Sequence, residues 1–586
     1  MSKEDSFYAG FSEQLLTDWQ EVVSKELKGS PIEKLRYRSA DGLEYLPFYT
    51  TQQLPQHVEG HLPADFPYRR GLSASGNDWA AVAHIAIDMD VKKANRQALH
   101  ALNHGADALW FDGRVADFDA FETLCKDIQP QYIRLIFSGI EGLVLAEWLG
   151  RWAENLQLSP AAMRVALLWP ATAWPVDGAV LLQMAHTYRK QLTAVVPFLI
   201  SSAAMRAEGA GLIEETALAL AAGHDLLHRL VQAGLSVDEA APLIQFQLAL
   251  DTDYFAEICR LRAFRQAWAK IVQTYAPVHS CSAAATLHAL AGSQALYSLD
   301  RHTNLLRLTS MGMSAVIGGV ASLCLPAFDL PVHGGDDFSM ELSLQIQLML
   351  RYEARLNEVA DPAGGAYFLE SLTEQIGEKS WALFQDIERV GGFMSWQGSG
   401  ALDVLLKAGA QSREQALGNR KQIRVGVNQY PNGIEVLADW QAASLHNAFD
   451  ALRLQTARAL PKPRIYLATT GDLTMRMARL NFSMNFLGCA GYELMAGKAF
   501  SKAEEAAEEA LAAGAHALVL CCDDASWPEA VAGLSARLKG NMLLILAGNP
   551  AAMADEFKAA GFEFFIHLKA NVLDTLQSIQ SKLLRS

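Results

Sequence analysis

Between positions 79 and 200 short apolar runs alternate with stretches in which apolar residues recur every three or four positions. The runs Val82–Asp88, Ala108–Asp112, Tyr132–Ser138, Arg164–Trp169 and Ala194–Ile200 are rich in β-branched or aromatic residues, and helical stretches such as Lys93–Asn103 and Gly142–Asn155 separate them. Continuous apolar strands divided by helices predict parallel strands buried on both faces. The alternation continues through two long helices, Leu212–Ala233 and Tyr254–Tyr275, past Val278–Ser282 to Arg307–Met311. About eight β/α units predict a TIM-type (β/α)8 barrel, whose active site would lie at the carboxyl ends of the strands.

The flanking pattern differs. At the start, Phe11, Leu15, Trp19, Val22, Val23 and Leu27 lie on one face of a predicted helix, Ser12–Lys28. Prolines 31, 47, 55, 63 and 67 break any long element after it. Following the barrel pattern, Asp361-Pro362 should stop one helix, and Gly364-Gly365 should turn the chain. Ser371 and Glu374 have the spacing of a capping box opening a second helix, which runs through Ile376, Trp381, Leu383 and Ile387 to Gly391-Gly392. Residues 423–428 are expected to be a short extended piece, and Pro461-Lys462-Pro463 a linker. Beyond it, Arg464–Ala468, Ala515–Cys521, Asn541–Ala547 and Phe564–Leu568 predict strands separated by helices, a flavodoxin-like doubly wound unit. The resulting division is 1–77, an N-terminal helix and extended segment; 78–421, the barrel; 422–462, a linker; and 463–586, the second α/β domain.

Composition narrows the function classes. A chain of 586 residues exceeds one core, and 51% hydrophobic with 19% charged residues describes a folded protein. A net charge of −15 argues against a general nucleic-acid or anionic-membrane binder. No apolar run approaches the roughly 20 residues of a membrane helix, and no secretory signal opens the sequence. Seven scattered cysteines fit reduced thiols in the cytoplasm.

Candidate chemistry is sparse. No Walker A loop and no strand-linked GxGxxG is present. His100 and His104 have the i, i+4 spacing of a metal pair, but no acidic third ligand stands on that face, so no metal is expected. His279 and Cys281 flank Ser280 at strand spacing. Cys521-Cys522-Asp523-Asp524 falls where ligands bind in doubly wound sheets, but a simple polar loop after a buried strand is the expected reading.

Several of these segments resemble the methylmalonyl-CoA mutases. The stretch Leu350–Gly392 is similar to them along nearly its whole length. Leu226–Trp268, with Asp253-Tyr-Phe-Ala-Glu-Ile-Cys-Arg-Leu-Arg-Ala263, resembles the mutase barrel, as do Asn304–Asp329 and Val425–Tyr430. The last 120 or so residues resemble the family's cobalamin-binding domain. This resemblance implies a barrel followed by a flavodoxin-like domain.

It also implies lost chemistry. Catalytic members carry serine-glycine-tyrosine-histidine after a barrel strand, the histidine bonding the thioester carbonyl; here Ser201-Ser202-Ala203-Ala204 places methyl groups at the tyrosine and histidine positions. The tyrosine- and arginine-containing run expected after Pro67–Gly71 is replaced by the shorter Leu72–Trp79. The cobalamin signature Asp-x-His-x-x-Gly is matched only by Gly471–Met477, where Asp472, Thr474 and Arg476 stand and no histidine does. A guanidinium cannot coordinate cobalt.

Three degraded elements on intact frameworks resemble the small, non-catalytic subunits of heterodimeric bacterial mutases. The implied function is an accessory one, to a large catalytic subunit interconverting (R)-methylmalonyl-CoA and succinyl-CoA in propionate metabolism. Adenosylcobalamin and the CoA thioester would sit in the complex, the cofactor on the partner. Two alternatives stay open: a stand-alone acyl-CoA mutase of altered specificity, and a non-enzymatic module binding a CoA ester or a regulatory protein.

Overall fold

The computed structural model describes residues 15–55, 61–88, 90–174, 177–433 and 447–584. Eight strands close into a parallel barrel: β1 (Ala80–Ala86), β2 (Ala108–Asp112), β3 (Arg134–Ser138), β4 (Arg164–Pro170), β5 (Val196–Ser201), β6 (Ile244–Leu250), β7 (Leu287–Ala291) and β8 (Ser322–Cys324). Closure is made by β8 pairing on β1 through only three residue pairs, from Ser322 opposite Ala80 to Cys324 opposite Val82. Alternation divides each strand. Ala81, Ala83, Leu109, Phe111, Leu135 and Phe137 join the outer core beneath the helices, whereas Val82, Trp110, Ile136, Leu168, Leu199 and Cys324 form a separate apolar cluster inside the barrel.

The first five strands lie where the apolar runs predict them. The last three do not. Val278–Ser282 is no strand but a loop entering a tight turn at Ser280–Ala283, with the amides of Val278 and His279 donated to Asp238. Arg307–Met311 lies inside the helix Thr303–Ile317. The true β6 was hidden because Gln245 and Gln247 face the barrel interior and interrupt its apolar run. β7 is alanine-rich, and β8 is three residues long.

The helices that bear on function are α1 (Leu16–Glu26), α2 (Val91–Asn103), α3 (Ala203–Glu208), α4 (Leu212–Gln232), α5 (Tyr254–Gln273), α6 (Asp337–Leu348) and α7 (Tyr367–Arg389). None of the residues of α1 is buried, and Trp19 stacks on Phe48 with ring centroids 5.0 Å apart; Phe11 and Ser12 lie outside the described residues. The following arm is anchored on α7, where Tyr45 and Tyr49 pack against Phe368 and Gln375 accepts from the Glu44 amide.

Helix α7 begins at Tyr367, so Ser371 and Glu374 are interior rather than a capping box. The turn before it does the cap's work: the buried Glu370 carboxylate accepts the Gly365 amide at 3.0 Å and pairs with Arg69 and Arg262, while Glu374 reaches Arg69 at 3.2 Å. Arg262 of α5 also pairs with Asp361. The two segments that most resemble the mutases are therefore joined through buried charges. Residues 424–429 form a tight turn around Gly426, closed by a bridge between Val425 and Gln429, in place of the expected extended piece.

The C-terminal unit is a five-stranded parallel sheet of order β10-β9-β11-β12-β13, with β9 (Arg464–Thr469), β10 (Glu493–Ala499), β11 (Ala517–Cys521), β12 (Leu543–Ala547) and β13 (Phe562–Ile566). Its two faces carry separate cores. One holds α8 (Leu473–Gly488) and the helix Val572–Leu583; the other holds helices Ala503–Ala512 and Trp527–Leu538. The edge strand β10 escaped prediction because Glu493, Gly497 and Lys498 leave it without an apolar run. The α8 core extends to Tyr297, Leu299 and Val427 on the barrel side, and Arg420 donates to Asn485 at 3.0 Å.

Candidate functional site

The barrel axis is filled along its length. At the amino ends, His288 bonds Ser322 Oγ through Nδ1 at 2.6 Å and Gln245 Oε1 through Nε2 at 2.8 Å, and burial pushes its imidazole down to about 3. The apolar cluster around Trp110 and Leu168 occupies the middle. At the carboxyl ends His84 meets Asp112 at 3.1 Å, Ser138 donates to Asp112 at 2.5 Å, and Trp110 Nε1 donates to Ser138 at 3.0 Å. The hydrogen bonds from His84 and Ser138 hold the Asp112 carboxyl below its usual range. Beside these four side chains opens a cleft of about 640 Å³, lined by Asp112, Ser138, Glu141, Leu168 and Trp169 among others, with no lysine or arginine among its described lining residues.

Ala203 and Ala204 open α3, directly after β5, at the mouth where a barrel enzyme places its catalytic groups. Ala203 is half-buried and Ala204 exposed. The turn that follows is fixed by backbone contact. Gly209 has φ +146°, and a Cβ there would stand 2.0 Å from the Leu406 carbonyl oxygen, so nothing larger fits.

Beneath these alanines lies a buried charge cluster. Arg260 contacts Glu215 at 2.5 Å and Glu257 at 2.6 Å. Arg206 lies 3.7 Å from Glu215 and 3.8 Å from both Asp251 and Glu257. Arg424 contacts Asp251 at 2.9 Å. Three guanidinium groups thus face three carboxylates. Burial pushes the Glu257 carboxyl up to about 7 against the pull of Arg260 and Arg206. Burial opposes ionisation of Asp251 too, but Arg424 and Arg206 outweigh it and hold that carboxyl below its usual range. None of these residues was singled out from sequence. The available signal was charge at i, i+3 (Glu257 and Arg260) in a helix that also carries Arg262, Arg265 and Lys270 among its apolar residues.

On the second sheet, Asp472 caps α8, accepting the Met475 amide at 3.0 Å, and its own amide donates to Asp523 at 2.9 Å. Thr474 is exposed, and Arg476 donates to the Gly471 carbonyl at 3.2 Å. The run Cys521–Asp524 is a polar loop after a buried strand, with both cysteines buried and Asp523 tying together the loops after β9 and β11. A crevice of about 550 Å³ lies at the carboxyl ends of β12 and β13, lined by Arg479, Phe482, Asn549, His567 and Lys569 among others. His567 follows β13 directly and was not singled out from sequence. Its Nδ1 accepts the Lys569 amide at 3.2 Å, and burial, then Lys569, lowers its imidazole.

Two further histidine motifs separate. His279 and Cys281 are exposed in a loop and its turn, not on one face of a strand. His100 and His104 are joined by Glu341 of α6, the acidic partner that their own helix does not supply.

Comparison with known proteins places this geometry. The profile of the family described as methylmalonyl-CoA mutase matches residues 176–462. A methylmalonyl-CoA mutase small subunit of Porphyromonas gingivalis is 32% identical over 625 aligned positions, covering 99% of each chain. The chain belongs to the methylmalonyl-CoA mutase small-subunit family. A second family member, the small subunit of Propionibacterium freudenreichii subsp. shermanii, is 28% identical over 81% of this chain and 80% of its own. A methylmalonyl-CoA mutase of Rhizobium meliloti is 27% identical over 72% of this chain but only 64% of its own length. The mutase family uses adenosylcobalamin. The loop at 471–477 does not fit that group: it offers a capping carboxylate, a hydroxyl and a guanidinium occupied with a backbone carbonyl, and no imidazole.

Proposed function

We propose that this chain is the accessory, non-catalytic subunit of a heterodimeric methylmalonyl-CoA mutase, an isomerase interconverting (R)-methylmalonyl-CoA and succinyl-CoA. The observation that carries the reading is the barrel mouth. Methyl groups stand at 203 and 204, the buried charges below them are matched among themselves, and the axis is filled around Trp110 and Leu168. A site that stabilises a reacting thioester needs a donor aimed at the carbonyl, and the methyl side chain of neither alanine can replace the imidazole that supplies it.

The C-terminal order β10-β9-β11-β12-β13 supports a flavodoxin-like domain of the cobalamin-binding type. With no ligand for cobalt in the loop after β9, the cofactor belongs on the large subunit, and so does the CoA thioester. The mouth cleft, with two carboxylates in its lining, suits a phosphate-rich CoA ester poorly. Residues 1–77 would dock the partner, 78–421 and 463–586 would supply the two frameworks, and 422–462 would link them. The contribution of this chain is then buried interface; obligate pairs commonly bury more than about 2,000 Å².

The test is co-purification. This chain, tagged, is expressed with and without the large mutase subunit, and each preparation is assayed for mutase activity and bound cobalamin. The expected result is activity only in a stoichiometric complex, with one cobalamin per pair. Activity or tight cobalamin in the isolated chain would overturn the reading in favour of a stand-alone mutase, and failure to form the complex would favour a separate binding module.

A further inference from the structure

Helix α2 follows the first barrel strand and α6 follows the last, so the two meet at the seam where the barrel closes. They run side by side in the same direction: Gln97 reaches Asp337 at 3.4 Å, and the Leu348 side chain lies against Gly105. Between them His100 Nε2 lies 3.8 Å and His104 Nε2 3.5 Å from the same oxygen, Glu341 Oε2. The two imidazole rings are tilted by 36° with centroids 4.1 Å apart. One ligand atom from each of the three residues lies within 4.8 Å of the others.

The proton positions make this arrangement informative. His104 Nδ1 is 2.7 Å from the His100 carbonyl oxygen, which can only accept, so Nδ1 carries the proton. In the neutral ring Nε2 then presents a bare lone pair to the Glu341 carboxylate. His100 Nε2 is buried without a hydrogen-bond partner and points at the same oxygen. The Nε2 lone pair of neutral His104 and the Glu341 oxygen repel unless a positive charge, an ion or a second ring proton, lies between them. The outer contacts match those of a ligand set: a ligating histidine donates its other nitrogen to a backbone carbonyl, and a ligating carboxylate is itself hydrogen-bonded. His104 meets the first condition, and Glu341, whose Oε1 accepts Gln345 Nε2 at 2.9 Å, meets the second.

We propose that His100, His104 and Glu341 bind a divalent transition-metal ion that staples α2 to α6 across the barrel seam. Two imidazoles with one carboxylate suit zinc, cobalt or nickel better than calcium or magnesium, which prefer all-oxygen shells. Bonds of about 2.0–2.2 Å in tetrahedral geometry put ligand atoms about 3.3 Å apart. The His104–Glu341 separation is close to that, and small side-chain rotations close the rest. The ligand side chains are 28–36% exposed, leaving a fourth position open to water. The seam is where such a staple matters, because β8 holds β1 through three residues alone.

The experiment uses the full chain, stripped with EDTA and titrated with zinc chloride by calorimetry, with cobalt as the optical probe. The expected result is one ion per chain at micromolar or tighter affinity, a visible cobalt band, and a melting temperature raised by zinc. His104→Ala should remove the band and the stabilisation, and Glu341→Gln should weaken binding by about tenfold or more, while both variants melt like the stripped wild type in EDTA. If His104→Ala does not fold, His104→Gln and Glu341→Gln decide the matter. Absence of micromolar binding in the wild type, or an unchanged site in these variants, would overturn the proposal and leave an imidazolium–carboxylate pair.

Discussion

His288 fills the amino end of the barrel axis as a neutral ring, because burial pushes it down to about 3 from an ordinary value near 6.5. A histidine whose folded value is depressed takes up its proton in the unfolded state first, so its contribution to stability is full above about pH 6.5 and falls as the pH drops toward 3. Between pH 8 and pH 5.5 the loss is about 1.4 kcal/mol. Glu257 acts in the opposite sense. Its carboxyl is pushed up to about 7, so its folded form keeps a proton that the unfolded chain has lost, and its contribution falls as pH rises from about 4.5 to 7. The net slope of the wild type is therefore a difference, and a variant must isolate the histidine. His288→Asn offers amide hydrogen bonding at the site and does not titrate. The difference in urea midpoint between pH 8 and pH 5.5 should shift by the equivalent of about 1.4 kcal/mol relative to wild type; identical pH dependence in the two proteins would show that His288 is not neutral in the fold.

Helix packing around the barrel gives a paired prediction. In α4, Gly223 faces two fully buried rings, and a Cβ there would meet Phe246 ring atoms at 2.5 Å and Trp268 at 3.0 Å. Gly150, in the helix Gly142–Asn155, has nothing within 4 Å of the same position. Alanine is the better helix former by about 1 kcal/mol. Gly150→Ala should therefore raise the melting temperature, whereas Gly223→Ala should lower it, overpacking costing about 1–3 kcal/mol. Equal shifts in calorimetric scans of the two variants would mean that the ring packing yields. The same packing explains which elements were legible in sequence. Strands β1 to β5 have apolar residues on both faces and stand out as runs. β6 does not, because the barrel needs Gln245 and Gln247 on its inner face, and β10 does not, because an edge carries Glu493 and Lys498 into solvent. At the candidate site the same limit applies. The alanines at 203 and 204 could be read directly, but Glu215, Asp251, Arg260 and Arg424 come from separate segments and only the fold assembles them. Glu341 is 237 positions beyond His104, and no spacing rule joins them.

At the scale of the whole molecule, the amphipathic helix α1 lies away from the described cores. Helix α1 has no buried residue; Leu15 is 60% and Val22 55% exposed, and Trp19 rests only partly on Phe48, itself 48% exposed. The arm beneath it is firmly placed, with Tyr45 and Tyr49 on Phe368 and the Tyr45 hydroxyl 3.2 Å from Asp253. An amphipathic helix is stabilised mainly by burying its apolar face, and none of the described residues buries that face of α1. The proposed large subunit provides one if α1 and Phe48 form part of the interface. Replacing Trp19 and Val22 together by serine should then leave the unfolding free energy of the isolated chain within about 0.5 kcal/mol of wild type, as surface changes do. The same change should reduce recovery of the large subunit on the tagged chain by tenfold or more, with mutase activity of the co-purified fraction falling in parallel. Unchanged recovery would place the interface elsewhere on the barrel. A loss of stability in the isolated chain would mean instead that α1 packs on its own arm and has no role in docking.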